Sequence, residues 1–267
     1  MAALPFLSVR GGKEGPNLQP LLDWLCGLPP VRWLLELGPR FYSAFWEAER
    51  WKLYLKGLGV TFQITIAAIS IGLVLGLIVA MVRTAHDQQR PGRRNALLGL
   101  INAVCTVYTT VIRGTPMMVQ ILIWNFVIFS TRNKVLVGMV AMGINAGAYI
   151  AEIIRGGLMS VDPGQSEAGR SLGLSYFDTM RFIVIPQAFK NILPSLGNEF
   201  ITLFKDTSLV SAIGAAELTY HASRIGGRTF DYMPPLIGIA VMYLAIVIVF
   251  TWAQGKLERR LRESDRR

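Results

Sequence analysis

Long apolar runs alternate with short polar segments along most of this chain. The clearest run, residues 60–82, contains no charged side chain. A bilayer's hydrocarbon core is crossed by roughly 20 apolar residues in a helix, so this run predicts a membrane span. Residues 135–154 and 233–254 predict two further spans, and residues 192–216 predict a weaker one that charged side chains interrupt.

Residues 97–130 are apolar apart from the motif RGTP at 113–116. Pro116 has no backbone N–H and disfavours helix in the residue before it, so a helix should break here. We predict an interfacial or partly inserted helix over 97–112 and a span over 116–130, which makes five spans in total. The alternative is two complete spans joined by a turn at this motif.

Two glycines in the first span, Gly72 and Gly76, have the spacing small-xxx-small. This spacing lets two helix backbones approach closely in lipid. Glycine is also simply tolerated in membrane helices, and the pattern by itself leaves both interpretations open.

The composition supports a membrane protein, because 52% of the residues are hydrophobic and only 16% are charged. Soluble domains carry roughly 25% charged residues, and the mean hydropathy here is +0.42. The formal net charge of +10 does not indicate nucleic-acid binding, because the arginines lack the interleaved aromatic residues of a stacking surface. The two cysteines have neither disulfide-like nor metal-site spacing.

Basic residues instead follow two of the apolar runs, where they fix orientation with the basic side cytoplasmic. They are Arg83, Arg90, Arg93 and Arg94 after the first run and Lys256, Arg259, Arg260, Arg262, Arg266 and Arg267 after the last. Five crossings then place the carboxyl terminus in the cytoplasm and the amino terminus outside.

The chain divides by composition into three parts. Residues 1–56 contain several prolines and no secretory signal pattern, and they form an external extension whose aromatic and charged end, residues 41–56, is expected at the membrane interface. Residues 57–256 form the transmembrane domain, which includes a polar cytoplasmic loop at 158–190. Residues 257–267 are a basic tail.

That polar loop has the signals of a helical hairpin. Asp162 and Pro163 predict a capped helix start, Gly173 suits the left-handed position that ends a helix, and Ser175 predicts the next start. Pro186 should end the second helix. Leu172, Leu174, Phe177 and Met180 would then be displayed on a polar background, either as a docking surface for another protein or packed against the chain's own spans.

Several motifs resemble one family. Glu167-Ala168, Gly173 and IPQA at 185–188 resemble the EAA loop of ABC importer permeases. RGTP at 113–116, NAGAYIAEIIRGG at 145–157 and LFKDTSLVSAIG at 203–214 resemble the polar amino-acid subfamily. The resemblance covers roughly residues 55–260. The family commonly has alanine where this chain has Gly169 and leucine where it has Ile185.

The resemblance implies an all-α integral membrane protein with about five transmembrane helices in a type I ABC importer permease arrangement. It implies a bacterial plasma membrane location, transport of polar amino acids by alternating access, two ATPase partners, an external solute-binding protein, and a second permease that is either a copy or a different chain. This chain has no GxxxxGK[ST] loop, so ATP and Mg are expected on the partner ATPase, and the chain itself is expected to be neither an enzyme nor a nucleic-acid binder. The residues implied in coupling are Glu167, Ala168, Leu172, Gly173, Leu174, Phe177, Met180 and Pro186.

Polar residues within spans usually face a cavity or a partner, since exposure to lipid is costly. The substrate-pathway candidates are Arg113, Thr115, Asn145, Tyr149, Glu152, Glu199, Lys205, Asp206, Thr207 and Ser208. We expect Glu152 to pair with Arg155 or Arg113. Lys205 and Asp206 either contact an amino-acid substrate or neutralise partners on neighbouring helices. A secondary transporter or channel is the alternative function, disfavoured because five spans show no inverted repeat.

Overall fold

The computed structural model describes residues 29–89, 95–129 and 131–264, and every regular element in these ranges is helical. The predictions for residues 1–28, for Arg90, Arg93 and Arg94, and for the end of the basic tail lie outside the described residues. The helices are α1 (Pro29–Phe45), α2 (Trp51–Asp87), α3 (Ala96–Gly114), α4 (Met117–Ile123), α5 (Lys134–Met159), α6 (Pro163–Ser171), α7 (Tyr176–Thr179), α8 (Ile185–Asp206), α9 (Leu218–Thr229) and α10 (Met233–Ser264). Short 3-10 helices occupy Glu47–Glu49 and Thr207–Ile213, and π-helical turns occupy Trp124–Ile128 and Met180–Val184.

Four helical segments of the described chain are long and apolar enough to cross a membrane. They are Glu47–Asp87, Ala96–Gly114, Lys134–Met159 and Met233–Leu261. Three of them contain the strongly apolar runs identified in the sequence. The weak run over 192–216 corresponds to most of α8 and the 3-10 helix that follows it.

The segment between α2 and α5 differs from expectation. Its first half, α3, has the length and composition of a span, whereas the second half, Met117–Ile128, is the shorter apolar helix. The break itself lies where Pro116 predicts it, because Thr115 has extended backbone angles. We predicted the interfacial helix in the first half and the span in the second, so the two lengths are the reverse of that assignment.

Three polar contacts show the direction in which the chain passes along α5 after the end of α3. The contacts are Arg113 to Glu152 (3.8 Å), Asn145 to Gln120 (3.0 Å) and Lys134 to Asn125 (2.7 Å). As the chain advances from Arg113 to Asn125, it passes α5 from its carboxyl end to its amino end. Helix α4 therefore runs antiparallel to α5 after the break that ends α3, within an all-helical membrane arrangement of about five transmembrane helices.

Helices α2 and α5 pack closely through the two glycines of the small-xxx-small pattern. A Cβ added at Gly72 would lie 2.7 Å from Ala146 Cβ, and one added at Gly76 would lie 2.8 Å from Ile150 Cβ and 3.0 Å from the Ala151 backbone nitrogen. Only glycine fits at such distances. The structure thus decides between the two interpretations of this pattern in favour of helix packing.

Replacing Gly76 with alanine should destabilise the fold by about 1–2 kcal/mol, because overpacking against the α5 backbone exceeds the gain in helix propensity. Gly59 provides a matched control on the same helix, since a Cβ there has no neighbour within 4 Å. Gly59→Ala should be neutral or stabilising. Thermal unfolding of both variants in detergent tests the comparison, and a Gly76→Ala protein as stable as Gly59→Ala would contradict it.

Candidate functional site

The hairpin between α5 and α8 has the predicted caps and turn. Asp162 Oδ1 accepts a hydrogen bond from the Gly164 amide (2.8 Å), and Ser175 Oγ accepts one from the Asp178 amide (3.1 Å). Gly173 lies between the two helices with φ of +81°. That left-handed backbone is the reason for glycine at this position.

Pro186 does not end the second helix, contrary to the prediction. Helix α7 continues through the π-helical turn Met180–Val184 into α8. The Ile185 amide bonds to the Met180 carbonyl five residues earlier, and this wider turn precedes the residue that has no N–H to donate. The hairpin is therefore continuous with α8.

The hairpin presents four large side chains to its surroundings. Leu172 is 82% exposed, Phe177 67%, Phe182 64% and Tyr176 61%. Leu172, Tyr176 and Phe177 lie around the glycine turn, and we call these three residues the docking face. Leu174 and Met180 were expected on the same surface but are only half-exposed. Met180 packs against a buried cluster around Val184. Three other residues of the segment that resembles an EAA loop are exposed, namely Glu167, Ala168 and Pro186.

Polar contacts tie the hairpin to the rest of the chain. The Tyr176 hydroxyl donates to Gln88 Oε1 immediately after α2. Gln187 on α8 donates to Gln165 on α6 at 3.2 Å. The hairpin therefore lies at the end of α2 that is farthest from α1.

The structure explains Gly169, the residue that departs from the family's usual alanine. Gly169 is buried where α6 meets the second helix. A Cβ there would lie 2.9 Å from Ile183 Cδ1 and 3.0 Å from Thr179 Cγ2. Glycine thus permits a close approach of the two hairpin helices beside two branched side chains, a reason that spacing along the sequence does not reveal.

Glu152 lies at the centre of a cluster of charges from α2, α3 and α5. Its carboxylate accepts hydrogen bonds from Arg83 and from Arg155 (3.3 Å), and Arg113 lies 3.8 Å away. Both expected partners are therefore present. Arg83 was missed as a partner because it lies 69 residues away on another helix. Asp87, 3.8 Å from Arg155, completes the arginine–glutamate cluster.

A second polar group surrounds Gln120, which the sequence analysis did not single out. Gln120 Nε2 donates to the carbonyl oxygens of Ile112 (2.7 Å) and Thr115 (3.1 Å), and Gln120 Oε1 accepts from Asn145 (3.0 Å). The helix break at Pro116 leaves backbone carbonyls without helical partners, and a buried amide four residues later satisfies them. A polar residue shortly after a proline in an apolar run is the signal that points to this role.

The ten substrate-pathway candidates separate into two groups. Arg113, Thr115, Asn145, Tyr149 and Glu152 gather around the α3–α4 break, where the Arg113 guanidinium lies 5.4 Å from the centre of the Tyr149 ring. Glu199, Lys205, Asp206, Thr207 and Ser208 lie together on α8 and the following 3-10 helix. Among the described residues, no hydrogen bond or ion pair joins these two groups. Thr207 is buried and donates to the Phe204 carbonyl (2.7 Å), whereas Lys205 is exposed.

A cleft of about 650 Å³ opens beside Glu152, between α5, α8 and α10. Its polar lining comes from Glu152, Ser160, Lys190, Asn191, Ser195 and Glu258. A space of this size accommodates a small polar molecule. The cleft lies on the side of the molecule that carries the hairpin, because Ser160 and Lys190 flank the hairpin in the chain.

Comparisons with known proteins agree with this architecture. The family of binding-protein-dependent transport system inner membrane components matches residues 95–263. The arginine transport system permease protein ArtQ of Bacillus subtilis (strain 168) is 34% identical over 79% of this chain and 93% of its own length. The glutamine transport system permease protein GlnP of Escherichia coli (strain K12) is 36% identical over 83% of this chain and 97% of its own length. A chain from the crystal structure of an amino acid ABC transporter with histidines superimposes with a TM-score of 0.71, at 38% identity over 80% of this chain and 96% of that chain.

Proposed function

Because the chain belongs to the family of binding-protein-dependent transport system inner membrane components, we propose that its hairpin couples a partner ATPase to the movement of an amino acid through the bilayer. The chain is the membrane-spanning permease subunit of an amino-acid ABC importer. Such importers work with an ATPase and a solute-binding protein. Two ATPases per complex, a second permease and the polar amino-acid substrate are parts of this proposal.

The observation that carries the coupling role is the exposed docking face. Apolar side chains as exposed as Leu172 and Phe177 favour burial in a partner's groove. The hairpin backbone beneath them is held by two helix caps and a left-handed turn, so it is a rigid projection. Its continuity with α8 supplies a mechanical path from a bound ATPase into the transmembrane helices.

The substrate is proposed to pass the group around the α3–α4 break and the adjoining cleft. Arg113 is 44% exposed although it ends an apolar helix, and an arginine facing lipid there would be costly. A water-filled route or a partner subunit is therefore expected beside it. Of the three arginines near Glu152, Arg113 is the most exposed and makes the longest contact, so it is the one available to a substrate carboxylate.

The hairpin's role also orients the chain. A cytoplasmic ATPase places the hairpin and the end of α10 in the cytoplasm of the bacterial cell, and it places α1 and the start of α10 outside. The aromatic residues Trp46 and Trp51 beside the start of α2 are exposed, as is typical of side chains at the membrane–water interface. Residues 29–56 are thus proposed to lie at the outer surface of the plasma membrane.

Gly173→Val should uncouple ATP hydrolysis from uptake, because a β-branched residue at φ of +81° costs about 1–2 kcal/mol of backbone strain and distorts the turn. Nothing lies within 4 Å of an added Cβ, so the effect comes from the backbone rather than from a clash. Gly173→Asn is the matched control, since asparagine tolerates the left-handed region. Uptake and ATP hydrolysis by reconstituted complexes measure the effect, and normal uptake by Gly173→Val would refute the role of the turn.

The proposed function is tested by expressing the chain with the ATPase and solute-binding protein encoded beside its gene and reconstituting the complex in liposomes. Uptake of labelled arginine, glutamine and histidine should require ATP and the solute-binding protein. An ATPase variant without its phosphate-loop lysine should abolish uptake. Uptake driven by an ion gradient in the absence of ATP would overturn the assignment in favour of a secondary transporter.

A further inference from the structure

Helix α1 is bound to the turn that begins α10, far away in the sequence. Arg40 Nε donates to Asp231 Oδ2 at 2.6 Å, and Arg40 Nη2 donates to Oδ1 at 2.8 Å. This bidentate geometry is the strongest arrangement of an arginine and a carboxylate. The two side chains are 29% and 27% exposed, so water only partly screens the pair.

Phe45 adds an apolar contact to this ion pair. Its ring fills the space beside Gly238 on α10, where an added Cβ would overlap Phe45 Cζ. The same ring stacks on Tyr54 of α2 at a centroid distance of 4.6 Å, and the Tyr54 hydroxyl donates to the Ala44 carbonyl at 3.3 Å. Phe45 therefore contacts both α2 and α10.

The connection between α1 and α2 is a rigid elbow. Ala48 and Glu49 have φ values of 52° and 56°, a left-handed backbone that residues other than glycine adopt only when surrounding contacts enforce it. Arg50 Nη1 donates across the elbow to the Ser43 carbonyl at 2.5 Å. The direction of α1 relative to α2 is thus determined by the fold.

The opposite ends of α2 and α10 are connected to the hairpin. The residue after α2, Gln88, accepts a hydrogen bond from Tyr176. Near the far end of α10, Gln254 donates to Pro194 O at 3.1 Å on α8, and α8 continues directly from the hairpin. At this end α2 therefore contacts the hairpin itself, α10 contacts the helix that continues from the hairpin, and at the opposite end both contact α1.

We propose that Arg40 and Asp231 are positioning residues of the import cycle, and that α1 is a brace which holds the outer ends of α2 and α10 at a fixed separation while the hairpin moves their inner ends. The brace consists of α1, the Arg40–Asp231 ion pair and the Phe45 contacts. Its outer position and its role both rest on the proposed function. With the outer ends fixed, hairpin movement rotates the helices, whereas without the ion pair the same movement is partly absorbed as separation of the outer ends.

The first test compares amino acid imported per ATP hydrolysed in the reconstituted complex. Arg40→Asp should lower this ratio by roughly three- to tenfold, the scale on which single substitutions change the coupling between distant parts of a protein, while ATP hydrolysis continues. The charge swap, Arg40→Asp with Asp231→Arg, should restore most of the ratio. Lys52→Asp is the matched control, because Lys52 pairs with Glu49 on the same elbow in an exposed ion pair and should leave the ratio unchanged.

A second test asks whether α1 stays in contact with the start of α10 throughout the import cycle. Cysteines at positions 40 and 231, in a chain without Cys26 and Cys105, would be joined by a bifunctional maleimide after assembly of the complex. The uncross-linked double-cysteine protein lacks the ion pair and should import less amino acid per ATP hydrolysed than wild type. Cross-linking, which joins α1 to the start of α10 again, should restore most of that ratio. Loss of import on cross-linking would overturn the proposal, because it would mean that this contact must open during the cycle.

The outcomes separate the brace from the function on which it rests. If the wild-type complex does not import with ATP, the proposed function fails. If wild type imports and Arg40→Asp keeps the wild-type ratio, the brace fails although the function stands. Should Arg40→Asp not fold, the milder Arg40→Gln variant and the cross-linked protein decide the question, and equal ratios for Arg40→Gln and wild type would again overturn the brace.

Discussion

Replacing Glu152 with alanine is expected to destabilise the protein by about 3 kcal/mol, a large effect for a substitution outside the apolar core. The carboxylate is 21% exposed and faces Arg83, Arg113 and Arg155. Its removal leaves three guanidinium groups close together, with Asp87 as the counter-charge that remains among the described residues. Their mutual repulsion and incomplete solvation account for the cost.

Thermal or denaturant unfolding in detergent would measure this loss. Glu49→Ala is the control, because it removes a carboxylate from an exposed ion pair with Lys52, and such pairs contribute less than about 1 kcal/mol. Adding Arg83→Ala to Glu152→Ala should recover part of the stability, since it removes one uncompensated charge. Equal destabilisation by Glu152→Ala and Glu49→Ala would show that the arginine–glutamate cluster does not hold α2, α3 and α5 together.

Replacing Leu172 with aspartate should detach the ATPase while leaving the permease folded. Leu172 is 82% exposed, so its removal costs little within the chain. In a complex, an apolar residue at the centre of an interface contributes about 2 kcal/mol or more, and a charge in its place also loses solvation. The affinity for the ATPase should therefore fall by roughly thirtyfold or more.

Retention of the ATPase during purification and ATP-dependent uptake provide the two measurements. Leu172→Met, which keeps an apolar side chain of similar volume, should retain both. The thermal stability of the permease alone should be the same for both variants. A Leu172→Asp permease that still holds the ATPase and imports would show that the docking face is not the site of ATPase binding.

The two predictions differ in how far the sequence supports them. Leu172 and Phe177 were identified from the hairpin's caps and glycine turn, and the structure exposes both. Met180 was identified by the same reasoning but packs against the cluster around Val184. The sequence shows that these residues are apolar and close to a turn, but the surface beneath the helix determines which of them remain exposed.

Glu152 illustrates the same distinction for charges. A carboxylate in an apolar span requires a counter-charge, and nearby arginines were correctly expected to supply it. Arg83 makes a hydrogen bond to it from α2, at a position that the sequence indicated only as part of a basic cluster after a span. Which distant arginine reaches Glu152 depends on the close packing of α2 against α5 at Gly72 and Gly76.

The sequence by itself determined the apolar helices, the basic ends, the helix break at Pro116 and the capped hairpin with its turn at Gly173. These features depend on hydrophobicity summed over a segment and on hydrogen bonds between residues a few positions apart. Only the tertiary structure decided that the hairpin runs on into α8, that Gly169 lies between branched side chains, and that α1 is bound to α10. Those features depend on which surfaces meet after folding. Arg40 and Asp231, for example, are 191 residues apart, and their contact is determined by complementary shape and charge, which no local sequence pattern contains.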